Sequence, residues 1–223
     1  MDRATWLAER RAATEAAYDD EAPGYDEDLY PAEMQATFVA RLLATCPPDG
    51  IVLDAPCGTG RYFPLVAASG RRVVGVDQSA GMLAQAEAKG IAVALHRIGL
   101  QELALDGEFD ATMTIDAMEN VPPEAWPTVL GALRRAAKPG GHLYLTVEEV
   151  EDRIVDEAHA AFMARDEPAV RGEVVEGDVA GYHYYPGRER VRGWLHEADL
   201  GIVAEDTEAI GDWAYWHLLL RRA

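Results

Sequence analysis

From residue 51 onwards, short apolar runs alternate with amphipathic stretches whose apolar residues recur at helical spacing. The apolar runs predict five β-strands, and the amphipathic stretches predict α-helices between most of them. Alternation of strands and helices is typical of a parallel sheet with helices on both faces. The pattern therefore predicts an α/β fold whose first five strands are "IVLDA", "RRVVGVD", "IAVALH", "FDATMTID" and "GHLYLTVE".

The beginning of the chain lacks this alternation. Residues 3–17 and 32–45 have helical spacing, and the acidic, aromatic stretch between them, 18–31, is broken by Pro and Gly. This stretch is expected to be a loop, since Pro and Gly interrupt regular elements. We interpret residues 1–45 as a helical cap segment that precedes a larger domain at 46–223.

The last third of the chain also differs from the regular pattern. Helical spacing after residue 150, followed by a turn-rich alternating stretch, predicts an insertion near 151–187 on the substrate side of the domain. The apolar runs 201–210 and 212–222 are separated by a tight-turn signal, "GD", which is typical of an antiparallel hairpin. The sheet is therefore expected to end in an antiparallel strand.

Charge and composition disfavour several kinds of partner. The formal net charge is -19, which disfavours binding to the phosphate backbone of DNA or RNA. No apolar stretch approaches the length of a membrane span, so we expect a cytoplasmic protein with no membrane partner. Two cysteines, Cys46 and Cys57, are too few for a disulfide framework or a four-cysteine zinc site.

The first strand leads into a glycine loop, "VLDAPCGTG", in which an acid precedes two glycines. Glycines let the backbone approach a ligand closely. A dinucleotide loop requires G-x-G-x-x-G, but Phe63 stands at the third glycine position. A P-loop requires a different spacing and a lysine, and neither is present. A third pattern, an acid followed by alternating glycines, remains.

This third pattern resembles the cofactor loop of class I S-adenosylmethionine-dependent methyltransferases, and the resemblance covers roughly residues 50 to 222. Pro56 stands where the family usually has its first glycine. The motifs "VVGVDQS", "FDATMTIDAMENVP" and "LRRAAKPGGHLYLTVE" follow in the family's order. The resemblance implies a Rossmann-like three-layer sandwich with a seven-stranded sheet of order 3-2-1-4-5-7-6, in which strand 7 is antiparallel.

The resemblance also implies S-adenosylmethionine as cofactor. Asp54 would order the loop and influence the ammonium end of the cofactor, while Asp77 would accept both ribose hydroxyls. Gly99 stands where most relatives carry an acid, so the backbone of Leu100 or the amide of Gln101 would contact the adenine instead. The expected cofactor-binding residues are Tyr18, Tyr25, Asp54, Ala55, Gly58, Gly60, Asp77, Gln78, Met82, Leu100, Gln101, Asp116, Ala117 and Met118.

Two tyrosine-rich segments outside the regular pattern are candidates for the acceptor pocket. One is "YDDEAPGYD", with Tyr30 shortly after it, and the other is "GYHYYPG". His183 is the first candidate for a general base because imidazole titrates near neutral pH. Glu148, at the end of the fifth strand, is the second. A half-buried hairpin with surface tyrosines remains the alternative for the second segment, and no metal site is expected.

These observations predict transfer of a methyl group from S-adenosylmethionine to an O or N atom of a small-molecule acceptor, by a monomer or homodimer. One alternative is a non-catalytic or regulatory protein that binds the same cofactor. A second is an NAD-dependent oxidoreductase, which the missing third glycine and the absence of a Tyr-x-x-x-Lys pair disfavour. The sequence does not identify the acceptor.

Overall fold

The computed structural model describes residues 1–27, 33–177 and 181–223, and its centre is a seven-stranded sheet. The strand order is β3-β2-β1-β4-β5-β9-β8, and β9 runs antiparallel to both of its neighbours. The predicted order, with one antiparallel strand, is confirmed. The strands are β1 (Ile51–Asp54), β2 (Arg72–Asp77), β3 (Ala94–Arg97), β4 (Phe109–Thr114), β5 (Ala137–Val150), β8 (Leu200–Ile210) and β9 (Trp213–Arg222).

Seven α-helices are found among the described residues, together with a separate two-stranded hairpin. The hairpin consists of β6 (Glu173–Glu176) and β7 (Gly181–Tyr184). The helices are α1 (Arg3–Glu21), α2 (Glu33–Thr45), α3 (Phe63–Ala68), α4 (Ala80–Ala88), α5 (Trp126–Ala136), α6 (Asp152–Ala164) and α7 (Arg188–Glu197). None of the described helices is long and apolar enough to cross a membrane.

Alternation along the buried strands divides the apolar core into two layers, one on each face of the sheet. Leu53 and Leu145 belong to one layer, while Val52 and Tyr144 belong to the other. Helices α1 and α2 contribute to different layers, since Trp6 packs in the first and Phe38 in the second. The first two helices thus cover opposite faces of the sheet.

Helix α1 is longer than the sequence pattern predicts, and Tyr18 lies within it rather than in a loop. The Asp2 side chain caps its first turn by accepting from the backbone N–H of Thr5 at 2.9 Å. Its last turn is fixed by Asp19, whose carboxylate accepts from the backbone N–H of Gly81 at 2.8 Å. Docking on α4 therefore extends the helix to Glu21. Tyr30 lies outside the described residues.

Helix α1 and the β6–β7 hairpin are joined by a buried polar network, and together they form what we call the roof of the molecule. The Glu173 side chain is fully buried and accepts from Arg3 at 2.8 and 2.9 Å and from the Tyr182 hydroxyl at 2.7 Å. Trp6 packs edge-to-face against Phe162 and Tyr182, each at 5.9 Å between ring centroids. The predicted insertion is thus anchored to the first turns of the chain.

Candidate functional site

A cleft opens at the carboxyl ends of β1, β2 and β4, beneath α1. In a doubly wound α/β sheet this edge is where ligands bind, because loops from neighbouring strands converge there. Eleven of the predicted cofactor residues line the cleft: Tyr18, Tyr25, Asp54, Gly58, Asp77, Gln78, Met82, Leu100, Gln101, Asp116 and Ala117. The structure thus brings together side chains from six separate segments of the chain.

Asp54 is the most deeply buried acid of the cleft, with 1% of its surface exposed. Its Oδ2 atom has no hydrogen-bond partner among the described residues. Burial, followed by the nearby charge of Asp77, raises the pKa of Asp54 well above its ordinary value. A buried carboxylate is costly unless a cation or donors compensate it, so the position of Asp54 fits a ligand with a positive group.

Asp77 holds the glycine loop in place. Its carboxylate accepts from the backbone N–H of Gly58 and from that of Ser79, each at 2.9 Å. Gly58 has φ +49° and Gly60 has φ +75°, a conformation that favours glycine. A Cβ on Gly60 would also collide with the Phe63 ring. Asp77 therefore positions the loop in addition to facing the cleft, a role that the sequence pattern did not reveal.

One end of the cleft is formed by Gln78, Met82 and the turn Leu100–Glu102. Arg11 of α1 reaches this end and makes two hydrogen bonds of 2.6 Å to the Glu102 carboxylate. A Cβ at residue 99 would collide with the Arg11 guanidinium. The ion pair of Arg11 and Glu102 therefore borders the space beside position 99.

The other end of the cleft is acidic and aromatic. Asp116 follows β4 with φ +50°, and its backbone N–H donates to the Thr146 hydroxyl at 2.8 Å. Tyr25 and Tyr62 line the cleft beside it. Burial, then the charges of Asp116 and Glu119, raise the pKa of Tyr25 to about 12. This end combines carboxylates with phenol rings.

Five predicted site residues do not line the cleft. Ala55, Gly60 and Met118 are buried behind its wall. Glu148 lies at the carboxyl end of β5, paired with Tyr215 of β9. His183 lies on β7, where its Nδ1 is 3.0 Å from the Tyr185 hydroxyl. None of the described hairpin residues lines the cleft: β6 packs against α6, and β7 packs against the turn Met118–Asn120 and against α1.

The sequence pattern did not single out several residues that do line the cleft: Arg11, Thr14, Arg61, Tyr62 and Asn120. Arg11 and Thr14 share the helical spacing of Tyr18, so their face of α1 could have been inferred once Tyr18 was assigned to that helix. Tyr62 closely follows the glycine loop, and this position in the sequence could have indicated that its side chain lines the cleft. No group of three or more His, Cys, Asp or Glu suited to a metal ion occurs in the described ranges.

Residues 52–141 match the family model described as "Methyltransferase domain". The chain is 37% identical over 140 residues to human Methyltransferase-like protein 27, an alignment that covers 58% of this chain and 55% of the relative. Residues 52–141 are therefore similar in sequence to a methyltransferase domain. The chain also aligns at 34% identity over 100 residues with a ubiquinone biosynthesis O-methyltransferase of Methylococcus capsulatus, covering 42% of the chain and 41% of the relative.

The alignments therefore span about half the length of these relatives, or less. Among solved structures, the methyltransferase fold is shared with the 1,6-didemethyltoxoflavin-N1-methyltransferase of Burkholderia thailandensis, at a TM-score of 0.73. That likeness covers 100% of this chain and 91% of the other, at 17% identity. A SAM-dependent methyltransferase of Methanosarcina mazei has a TM-score of 0.68 at 18% identity, covering 87% of this chain and 98% of the other. At such identities the likeness establishes the fold.

Proposed function

We propose that this methyltransferase binds S-adenosylmethionine in the cleft and transfers its methyl group to an O or N atom of a small-molecule acceptor. The buried Asp54 carboxyl carries this proposal, because it lies beside the glycine loop and its Oδ2 has no partner among the described residues. The ammonium of the cofactor would supply the missing cation. No phosphate ligand would do so, since a phosphate beside Asp54 and Asp77 would be repelled.

The bound cofactor would supply a methyl group that is already activated by a positive sulfur. Asp77 has one backbone donor on each carboxylate oxygen, which leaves further acceptor capacity for the ribose hydroxyls. Gln78 and Met82 would flank the adenine, and Leu100 or Gln101 would contact its edge. The glycine loop would let the backbone approach the cofactor closely.

The protein's contribution to methyl transfer would be alignment of the acceptor and exclusion of water. The acidic and aromatic end of the cleft, around Asp116 and Tyr25, would receive the acceptor. Of the two bases predicted from the sequence, Glu148 stays the candidate for an acceptor that must lose a proton, whereas His183 lies on the hairpin outside the cleft and has no role in this proposal. The names of the relatives include both an O- and an N-methyltransferase, so both acceptor atoms stay within the proposal.

Thermal unfolding with and without ligands tests the cofactor assignment. A ligand that binds only the folded state, at about 100 times its Kd, adds about 2.7 kcal/mol to the free energy of unfolding. S-adenosylmethionine and S-adenosylhomocysteine should each raise the Tm by several degrees, whereas NAD and ATP should not. A shift with NAD alone would overturn the proposal. Binding without turnover over a broad acceptor panel would favour the non-catalytic alternative.

A further inference from the structure

A group of three carboxyl side chains lies beyond the acidic end of the cleft: Asp116, Glu119 and Glu148, which we call the carboxyl cluster. Asp116 lines the cleft, and Glu119 is in the turn that follows it. Thr146 accepts from the backbone N–H of Asp116, and Glu148 follows two residues later on the same face of β5. The ends of β4 and β5 thus bring the three acids together.

Glu119 is the acid of the cluster with the greatest need for a partner. Only 5% of its surface is exposed, and its Oε2 atom has no hydrogen-bond partner among the described residues. The charges that act on it, those of Glu148 and Asp116, are both negative. Together with burial, they raise the pKa of Glu119 well above its ordinary value. A cation at this point would relieve both the repulsion and the missing contact.

A second buried polar atom, outside the carboxyl cluster, belongs to Tyr62, which lines the cleft together with Asp116. Tyr62 lines the cleft with 7% of its surface exposed, and its hydroxyl has no hydrogen-bond partner among the described residues. Its phenol interacts electrostatically with Asp116 and Asp54. The Tyr62 hydroxyl therefore lies in the wall of the cleft within electrostatic range of both Asp54 and Asp116, and it offers a donor or an acceptor to a bound molecule.

Aromatic rings complete this end of the cleft. Tyr18 and Tyr25 meet edge-to-face at 6.1 Å between ring centroids, and both interact electrostatically with Glu119. Ring faces attract cations as well as apolar groups. Arg61 also lines the cleft, and its guanidinium carbon lies 5.7 Å from the centroid of the Tyr62 ring. Carboxylates and rings together favour an organic cation over an anion.

We propose that the acceptor is a small molecule with a protonated amine, and that the carboxyl cluster of Asp116, Glu119 and Glu148 binds this amine between the tyrosines. The proposal rests on the methyl transfer proposed above and specifies the class of acceptor. The ammonium of the cofactor would compensate Asp54, and the ammonium of the acceptor would compensate the carboxyl cluster. The two sites would therefore select two different cations.

Binding of matched probes to the protein saturated with S-adenosylhomocysteine tests this assignment. We would measure 2-phenylethylamine, 2-phenylethanol and 3-phenylpropionate by calorimetry, and repeat the comparison with propylamine, propanol and propionate. The amine of at least one set should bind about tenfold or more tightly than its alcohol, since charge-assisted hydrogen bonds are the stronger ones. Equal or weaker binding of both amines would overturn the inference.

Variants assign the preference to the cluster. Glu119→Gln and Glu148→Gln should each reduce the preference for the amine by about fivefold or more, because each removes a charge but keeps the shape. Glu149→Gln is the matched control, since Glu149 pairs with Arg188 outside the cluster, and it should leave the preference unchanged. A preference that survives both cluster variants would place the amine elsewhere and overturn the assignment.

Two further measurements distinguish a failure of the proposed acceptor class from a failure of the proposed function and from binding of a metal ion. Binding of S-adenosylhomocysteine alone tests the proposed function, so intact cofactor binding with no preference for amines would overturn only the acceptor class. Titration with Mg²⁺ tests a metal ion as the occupant of the cluster. Tight binding of Mg²⁺ that competes with the amine and disappears in Glu119→Gln would also overturn the inference.

Discussion

The backbone N–H of Gly58 donates to the carboxylate of Asp77 at 2.9 Å, across nineteen positions of the chain. This bond joins the end of β2 to the loop that follows β1, and a second bond from Ser79 holds the other oxygen. The acid that should bind the ribose therefore also fixes the loop that should approach the cofactor. Its two roles must be separated by experiment.

Asp77→Asn should weaken S-adenosylhomocysteine about tenfold or more while the protein remains folded. The variant removes the charge from hydrogen bonds worth about 1.5–3 kcal/mol each, and its amide NH2 also replaces an oxygen that accepts from the backbone N–H of Gly58 or Ser79. Calorimetric titration measures the loss. Asp110→Asn is the matched control, because Asp110 also accepts from a backbone N–H, that of Ile51, but lies at the opposite end of the sheet. Unchanged affinity in Asp77→Asn would mean that the ribose is held elsewhere.

Asp54→Asn should stabilise the protein without ligand and weaken cofactor binding. The pKa of Asp54 is raised in the folded state, so its contribution to stability is present below its unfolded pKa and is lost as the pH rises through the folded value. At pH 7.5 the neutral amide avoids this loss. We expect a Tm about 2–4 °C higher, equivalent to about 1 kcal/mol for a chain of this size. A lower Tm with unchanged affinity would contradict the role assigned to Asp54.

Affinity for S-adenosylhomocysteine should fall as the pH is lowered through the raised pKa of Asp54. The ammonium of the ligand favours the ionised carboxylate, so binding must displace a proton from any protonated Asp54. Calorimetry in buffers of different ionisation enthalpy would detect the released proton. In Asp54→Asn the dependence should shrink, and the remainder should reflect Asp77, whose pKa is also raised by burial. A wild-type profile that stays flat below neutral pH would contradict this linkage.

Glu173→Ala should destabilise the roof by about 3–5 kcal/mol, since it leaves the buried partners of a fully buried carboxylate uncompensated. The Tyr182 hydroxyl would lose its acceptor, and Arg3 would keep only Glu124 and the Pro168 carbonyl as partners. Denaturant unfolding measures the change. Glu157→Ala is the matched control, because its pair with Arg153 is exposed on α6, and it should cost less than about 0.5 kcal/mol. Similar costs for the two variants would argue against a structural network in the roof.

Variants of the two predicted bases, His183 and Glu148, should differ in their turnover of any acceptor that is methylated. His183 contacts the Tyr185 hydroxyl outside the described cleft, so His183→Ala should change turnover less than about threefold. Glu148→Gln should lower turnover about tenfold or more through loss of the carboxyl cluster. Affinity for S-adenosylhomocysteine should stay unchanged in both variants. A hundredfold loss in His183→Ala would restore the prediction made from the sequence.

The sheet could be predicted from the sequence because its signals are local. Apolar runs, the N-cap Ser79 and the turn at Gly211 each mark an element within a few residues. The cofactor residues at the ends of β1, β2 and β4 could be predicted for the same reason, since strand ends meet at one edge of a parallel sheet. The position of Tyr18 within a helix could not be predicted in this way, because the helix reaches Tyr18 only through the docking of α1 on α4.

Local sequence signals predict the two faces of the hairpin but not its position relative to the cleft. Alternation correctly separates Tyr182 and Tyr184, buried in the main core, from His183 and Tyr185 on the other face. Which face would meet the cleft depends on contacts with α1 that span about 170 positions of the chain. The same limit applies to Glu119, whose burial beside Glu148 results from the pairing of distant strands.

The aromatic partners of Trp6 are Phe162 and Tyr182, which follow it by more than 150 positions of the chain. During synthesis the first helix leaves the ribosome well before either ring exists. The parallel strands β1 to β5 are complete before residue 182 has been added, and domains generally fold in the order in which they are made. The ring contacts that join α1 to α6 and β7 are therefore among the last that a newly made chain can form.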